Sequence, residues 1–150
     1  MPQSLSAIYV HLIYSTKNRE PLIRPEIEEE LRKYHAGILR NLDSPMICSD
    51  GDVDHIHVLF RLGRTQSIAG VVEELKKSSS KWIKSQGPEY AHFYWQSGYG
   101  AFSVSQSGVE EVKRYIANQK AHHQGMTFQD EYRAFLTKYE IEYDERYVWD

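Results

Sequence analysis

The sequence predicts an α+β fold, an antiparallel sheet with helices packed against it, and three observations carry that expectation. Short β-branched and aromatic runs alternate with longer amphipathic ones. Their order is β-α-β-β-α-β, followed by two more helical segments. No internal repeat, low-complexity tract or Pro/Gly-rich linker interrupts them, so residues 1–150 are expected to form one domain.

The first strand is read over residues 6–16, "SAIYVHLIYST". A polar turn follows, and Pro25 opens a helix in which Ile27, Leu31, Tyr34, Ile38 and Leu42 recur on one face. "PMICSDGDVDHIHVLFRL" reads as two strands joined around Asp50-Gly51-Asp52, a hairpin signal. Ser67 is placed to cap a second helix running to about Ser85, which Gly87-Pro88 ends. After an aromatic loop, residues 100–105 form a strand. Ser107 and Glu110 then make an S-x-x-E capping box for a helix over 108–123 that Gly125 can stop. A last helix covers 127–139, and an acidic, aromatic tail closes the sequence. The first six elements match the split β-α-β, ferredoxin-like motif, with helices on one sheet face.

Composition is that of an ordinary globular protein, 41% hydrophobic and 26% charged. No apolar run approaches the roughly 20 residues a membrane span needs, so no membrane association is expected. The first 15 residues lack the basic, apolar and cleavage regions of a secretory signal. Cys48 is the single cysteine, which excludes an internal disulfide and a cysteine zinc cluster and suits the cytoplasm. The net charge of −3 hides a polarity: residues 61–84 hold six bases against two acids, and residues 126–150 three bases against seven acids. A local basic patch matters more to phosphate binding than the total does.

"VDHIHVLF" puts His55 and His57 two positions apart in an apolar strand. Successive strand side chains point to opposite faces, so the two imidazoles share one face, and the fold aims it away from the helices, on an open side of the sheet. Two readings follow: polar residues of a half-buried strand facing solvent, or a pair of metal ligands on a rigid element. In the third helix Tyr115 and Gln119 lie four apart, on one face. A phenol oxygen, an amide oxygen and two imidazoles can converge on one ion. Such a neutral ligand set leaves the ion's charge free to polarise a phosphoryl oxygen. A tyrosine nucleophile would keep the energy of a broken phosphodiester in its own ester, so that a 3′-OH can reattack. No residue is evident as the base for Tyr115, whose ordinary pKa is about 10.

Taken in order, "DHIHVLF", "WQSGYGAFSVS" and "VKRYIANQKAHH" resemble the small single-tyrosine HUH (His-hydrophobe-His) transposases of bacterial insertion sequences, a single-strand transposase family that includes REP-associated tyrosine transposases. The opening "HLIYSTKNREPLI" and the closing "FQDEYRAFLTKYEIEYDERYVW" share the resemblance, which spans nearly the whole chain. It implies that His55 and His57 bind a divalent metal, Mg²⁺ or Mn²⁺, with Gln119 as third ligand. Tyr115 would attack the scissile phosphate, giving a 5′-phosphotyrosine and a free 3′-OH. It further implies a homodimer whose sheets join edge to edge, with each tyrosine helix able to serve the partner's HUH pair. The substrate would be single-stranded DNA carrying imperfect hairpins near the element's ends.

Other residues carry open alternatives. Lys77, Lys81 and Lys84 form a helical stripe that can hold hairpin phosphates or simply be a solvated face, and Lys17 and Arg19 pose the same choice. His122 or His123 can touch DNA or the leaving oxygen, or the two simply end a helix in solvent. His11 can line the open sheet face, and Tyr94, Trp95 and Tyr99 either stack unpaired bases or fill the core. Against strand transfer stand three alternatives. A replication initiator or relaxase would nick supercoiled plasmid. A domesticated relative would process scattered palindromes that lack flanking element ends. A non-catalytic nucleic-acid-binding module would form no covalent adduct.

Overall fold

The computed structural model describes residues 2–150. Its elements are β1 (Tyr9–Ser15), α1 (Pro25–Asn41), β2 (Met46–Asp52), β3 (His55–Arg61), α2 (Ile68–Lys84), β4 (Gly100–Val104), α3 (Val109–Ala117), α4 (Gln119–His122) and α5 (Phe128–Lys138). The four strands form one sheet in the order β2-β3-β1-β4, every pairing antiparallel. This is the expected split β-α-β topology, an α+β fold. No described helix is long and apolar enough to cross a membrane.

Alternation along β1 and β3 divides the side chains between two layers. Val10, Leu12, Tyr14, Ile56, Val58 and Phe60 point toward α1 and α2 and form the main core with Leu31, Leu39, Val71, Leu75 and Ile83. Ser67 caps α2 as its spacing predicts, its side chain accepting from the Gly70 N–H.

The other sheet face is not open, which corrects the sequence expectation. α3 covers it with Val109 and Ile116 over Leu59, and α5 covers it with Phe128, Tyr132 and Leu136 over Ile13 and Phe102. The reason is the apolar stripe of α5, which must be buried against something; the remaining apolar surface of the sheet lies there. Gly100 makes the fit possible, since a Cβ at that position would stand 2.6 Å from Tyr132 Cε2. His55 and His57 are consequently fully buried.

Three boundaries differ from expectation. The β2–β3 turn falls at Val53-Asp54, because Asp50 and Asp52 accept hydrogen bonds from the N–H groups of Gly51 and Val53 while the backbone of 50–52 stays paired with β3. The capping box does not form: residues 106–108 make a 3₁₀ turn, Gly108 caps α3 without a side chain, and the Ser107 hydroxyl meets that of Ser105 at 3.1 Å. The third helix also breaks at Asn118 (φ −100°, ψ 17°), so Tyr115 and Gln119 belong to two consecutive helices.

Candidate active site

β3 brings the two imidazoles into the layer between the sheet and the C-terminal helices. The neighbouring Asp54 carboxylate holds His55 Nδ1 at 2.8 Å, and the Nε2 of His11 on β1 meets His57 Nδ1 at 2.8 Å. With Nδ1 engaged in each ring, both Nε2 atoms face the helices. His55 Nε2 lies 3.0 Å from Gln119 Oε1 at the start of α4. Lys120, paired with Glu28 of α1 and 3.5 Å from Asp50 of β2, pins α4 in place. The structure therefore brings His55, His57 and Gln119 together although the helix carrying Gln119 is broken.

Tyr115 stands beside them, its ring centroid 5.8 Å from that of His57 in the same chain. Its hydroxyl donates to Glu131 Oε2. Glu131, on α5, is 1% exposed and reaches much of the cluster: Oε1 is 2.9 Å from His57 Nε2 and 3.0 Å from His123 Nε2, while Oε2 accepts from Gln119 Nε2 at 3.2 Å. His122 Nε2 comes to 3.3 Å of the phenol oxygen. His122 and His123 are thus not a solvated helix end, His123 least of all, with 5% of its side chain exposed.

The charges follow from burial and pairing. Burial would raise the Glu131 carboxyl, but hydrogen bonds from His123, His57 and Tyr115 outweigh it and hold the group well below the usual carboxylate range. Burial and the adjacent Glu131 carboxylate push the Tyr115 phenol above its ordinary value. Burial lowers His57 and, together with His57 itself, His11. His123 moves the other way, because Glu131 more than offsets its desolvation. Ligand atoms of His55, His57, His123 and Glu131 lie within 4.8 Å of one another, and a buried cluster of this make-up can hold a metal ion.

Beside the cluster a cleft of about 480 Å³ opens between α3, α5 and the end of β4, lined by Tyr115, His122, Glu131, Phe135 and Lys138 among others. Tyr115 is reachable from this cleft, and the two strand imidazoles lie behind it.

The sequence model of the IS200-like transposase family matches residues 4–119, most of the chain and everything from β1 to the first residue of α4. The chain belongs to that family. The ISDra2 transposase TnpA of Deinococcus radiodurans is 24% identical over 114 residues, spanning 73% of this chain and 81% of the relative. Two solved structures share the fold. One is a proposed transposase from Deinococcus radiodurans R1 (TM-score 0.61, 22% identity, 79% of this chain and 98% of that one). The other is a REP-associated tyrosine transposase bound to a REP hairpin (TM-score 0.62, 13% identity, 82% and 72%).

The transposase family segment ends at Gln119, so two members of the cluster, His123 and Glu131, lie beyond it. Sequence reasoning left His123 as an open alternative and passed over Glu131, one of 21 acidic residues, although it lies in the closing stretch that shares the family resemblance. The basic candidates are more scattered. Lys77, Lys81 and Lys84 sit on α2, across the sheet from Tyr115, with Lys77 and Lys81 exposed. Lys84 and Lys17 converge on the exposed ring of Tyr94, at 4.1 and 5.9 Å from its centroid. Arg19 is turned under the tail, its guanidinium 5.6 Å from the Trp149 ring and donating to the Trp149 carbonyl. Trp95 is core, in edge contact with Tyr14 and Phe93, and Tyr99 lies 5.7 Å from the Lys76 ammonium. The acidic tail folds back on the body: Arg133 pairs with Glu145, and the Asp150 carbonyl accepts from the Gly98 N–H.

Proposed function

We propose that this chain cleaves and rejoins single-stranded DNA, with Tyr115 as the nucleophile and a divalent metal, Mg²⁺ or Mn²⁺, held by His55, His57 and Gln119. One observation carries the reading: the Tyr115 hydroxyl is hydrogen-bonded into the same buried cluster that contains the two strand imidazoles. The donor set fits a cation. His55 Nε2 and Gln119 Oε1 face each other at 3.0 Å, and two ligands about 2.1 Å from one octahedral ion stand about 3.0 Å apart.

When bound, the metal would polarise a non-bridging phosphate oxygen and offset charge at phosphorus. The chain's own groups do the rest. Glu131 Oε2 accepts from the phenol and orients it. Tyr115 Oη forms the new bond to phosphorus as the bond to the 3′ oxygen breaks, and that oxygen leaves as a 3′-OH after taking a proton. His122 Nε2, 3.3 Å from the phenol oxygen, stands on the nucleophile's side, where it can take the phenol proton. The 3′ oxygen, on the opposite side of phosphorus, takes its proton from water. Attack by a 3′-OH on the phosphotyrosine reverses the sequence and joins strands without a nucleotide cofactor.

The cleft beside Tyr115 is the approach for the scissile strand, and a hairpin near the element's end is the natural anchor. Lys17 and Lys84, grouped around Tyr94, are its first candidate contacts, with Lys77, Lys81 and Arg19 as outer ones. A homodimer acting in the cytoplasm completes the reading. The test is incubation with single-stranded DNA from the flanks of its own gene, with Mg²⁺ or Mn²⁺ and with chelator. A metal-dependent covalent adduct on a denaturing gel is the expected result. Cleavage in excess chelator would remove the metal from the mechanism.

A further inference from the structure

The two strand histidines and Gln119 account for only part of what converges at the site. We infer that Glu131 and His123, both outside the matched family segment, complete the divalent-metal site as its fourth and fifth protein ligands. The inference rests on the metal-dependent reading above and deepens it.

The first support is ring orientation. Imidazoles that bind metals characteristically have their second nitrogen tied to a polar group, which fixes tautomer and aim. All three imidazoles here show this: His55 Nδ1 is held by Asp54 at 2.8 Å, His57 Nδ1 by His11 at 2.8 Å, and His123 Nδ1 by the Met126 carbonyl at 2.6 Å. Each Nε2 is left pointing at one place.

The second support is spacing. Glu131 Oε1 lies 2.9 Å from His57 Nε2, 3.0 Å from His123 Nε2 and 3.5 Å from His55 Nε2. Neighbouring ligands at about 2.1 Å from an ion are separated by about 3.0 Å in octahedral geometry. The first two separations are edges of such a polyhedron, and the third, to His55, is longer and closes when the ion draws the ligands together.

Two consequences follow for the molecule. An anionic ligand neutralises one unit of the ion's charge, which the neutral His-His-Gln set would have left intact. Because Oε2 of the same carboxylate holds the Tyr115 hydroxyl, ion and nucleophile share one side chain, and binding of the ion ties α4 and α5 to β3. Metal should therefore stabilise the fold through residues that the family segment does not contain.

Mn²⁺ titration of the chelator-treated full chain, followed by electron paramagnetic resonance, tests this directly. Glu131→Gln and His123→Asn should each weaken Mn²⁺ binding at least tenfold and reduce the rise in Tm that Mn²⁺ gives the wild type. Pulsed resonance on the wild type should show coupling to three imidazole nitrogens, falling to two in His123→Asn. If the variants fail to fold, the wild-type nitrogen count still decides, because two imidazoles would overturn the inference. Wild-type affinity and an unchanged nitrogen signature in both variants would also overturn it, while loss of binding in His57→Ala kept the metal reading alive. Absence of Mn²⁺ binding by the wild type would sink both.

Discussion

The two faces of this sheet are buried to the same degree and filled with different chemistry. Toward α1 and α2, Leu12, Val58, Phe60, Val71, Leu75 and Ile83 are hydrocarbon with no accessible surface beyond 0%. Toward α3 to α5, His55, His57 and Gln119 are equally inaccessible, a polar cluster set among the buried hydrocarbon of Ile13, Leu59 and Phe128. Hydrocarbon packing is non-directional and tolerates exchange of similar shapes, whereas a buried polar cluster holds only if each donor finds its acceptor. The apolar layer also contains a buried histidine, His35, hydrogen-bonded to Tyr14 at 3.0 Å. Burial pushes it down to about 3, so it sits neutral with that single side-chain partner. The contrast teaches that a buried imidazole is ordinary and that convergence of several on one carboxylate and one phenol is what marks a site.

The largest effects should come from the polar face. Tyr115→Phe is expected to lower covalent adduct formation on the order of 10³-fold or more while leaving hairpin binding intact, measured by denaturing gel and by mobility shift. Adduct at wild-type level would put the nucleophile elsewhere. His57→Ala should also abolish the adduct. Because His57 is buried and paired with His11 and Glu131, it should cost about 1–3 kcal/mol of stability as well, read by denaturant unfolding. An unchanged midpoint would mean that the face is less tightly packed than the structure shows.

The apolar face should behave in the opposite way. Leu12→Ala is expected to destabilise by about 2–5 kcal/mol, with Mn²⁺ affinity and adduct yield per folded molecule unchanged. A loss of metal affinity there would show that the two layers are coupled and break the comparison.

A smaller effect concerns pH. Unfolded, His35 takes up a proton below its ordinary 6.5; folded, it resists until about 3. Its contribution to stability is therefore complete above 6.5 and is lost progressively as pH falls toward 3, at up to about 1.4 kcal/mol per pH unit. His35→Gln should flatten that part of the stability profile without touching adduct formation at pH 7, and an unaltered slope would assign the acid sensitivity to other groups. The smallest effects belong to the periphery. Lys17→Ala and Lys84→Ala should each weaken hairpin binding only about 2–5-fold and lower its salt dependence by about one counterion. No change in either quantity would leave the Lys17–Tyr94–Lys84 group as surface packing.

Much of this was legible in the sequence, and the exceptions have a common cause. Period-2 alternation put His55 and His57 on one face, and the caps and breakers around 67 and 87–88 bounded α2 closely. The apolar stripe of α5 was readable as a helix, but nothing local says which surface a helix covers, so the histidine face looked open. Glu131 was passed over for the same reason. It meets His57 across 74 residues of sequence, and only the docking of α5 turns one acidic residue among many into the centre of a cluster. The break at Asn118 also escaped notice, because helical periodicity continues through it while α4 is pulled onto the sheet by Lys120 and Gln119.

The central claim is that the phenol aimed into the histidine cluster is the group that bonds to DNA. The most direct test is mass spectrometry of the protease-digested adduct formed with single-stranded DNA and Mn²⁺. A nucleotide mass on the peptide containing Tyr115, and on no other of the 11 tyrosines, is the predicted result. DNA cleaved with no nucleotide attached to protein, or with the mass on a different tyrosine, would contradict the account.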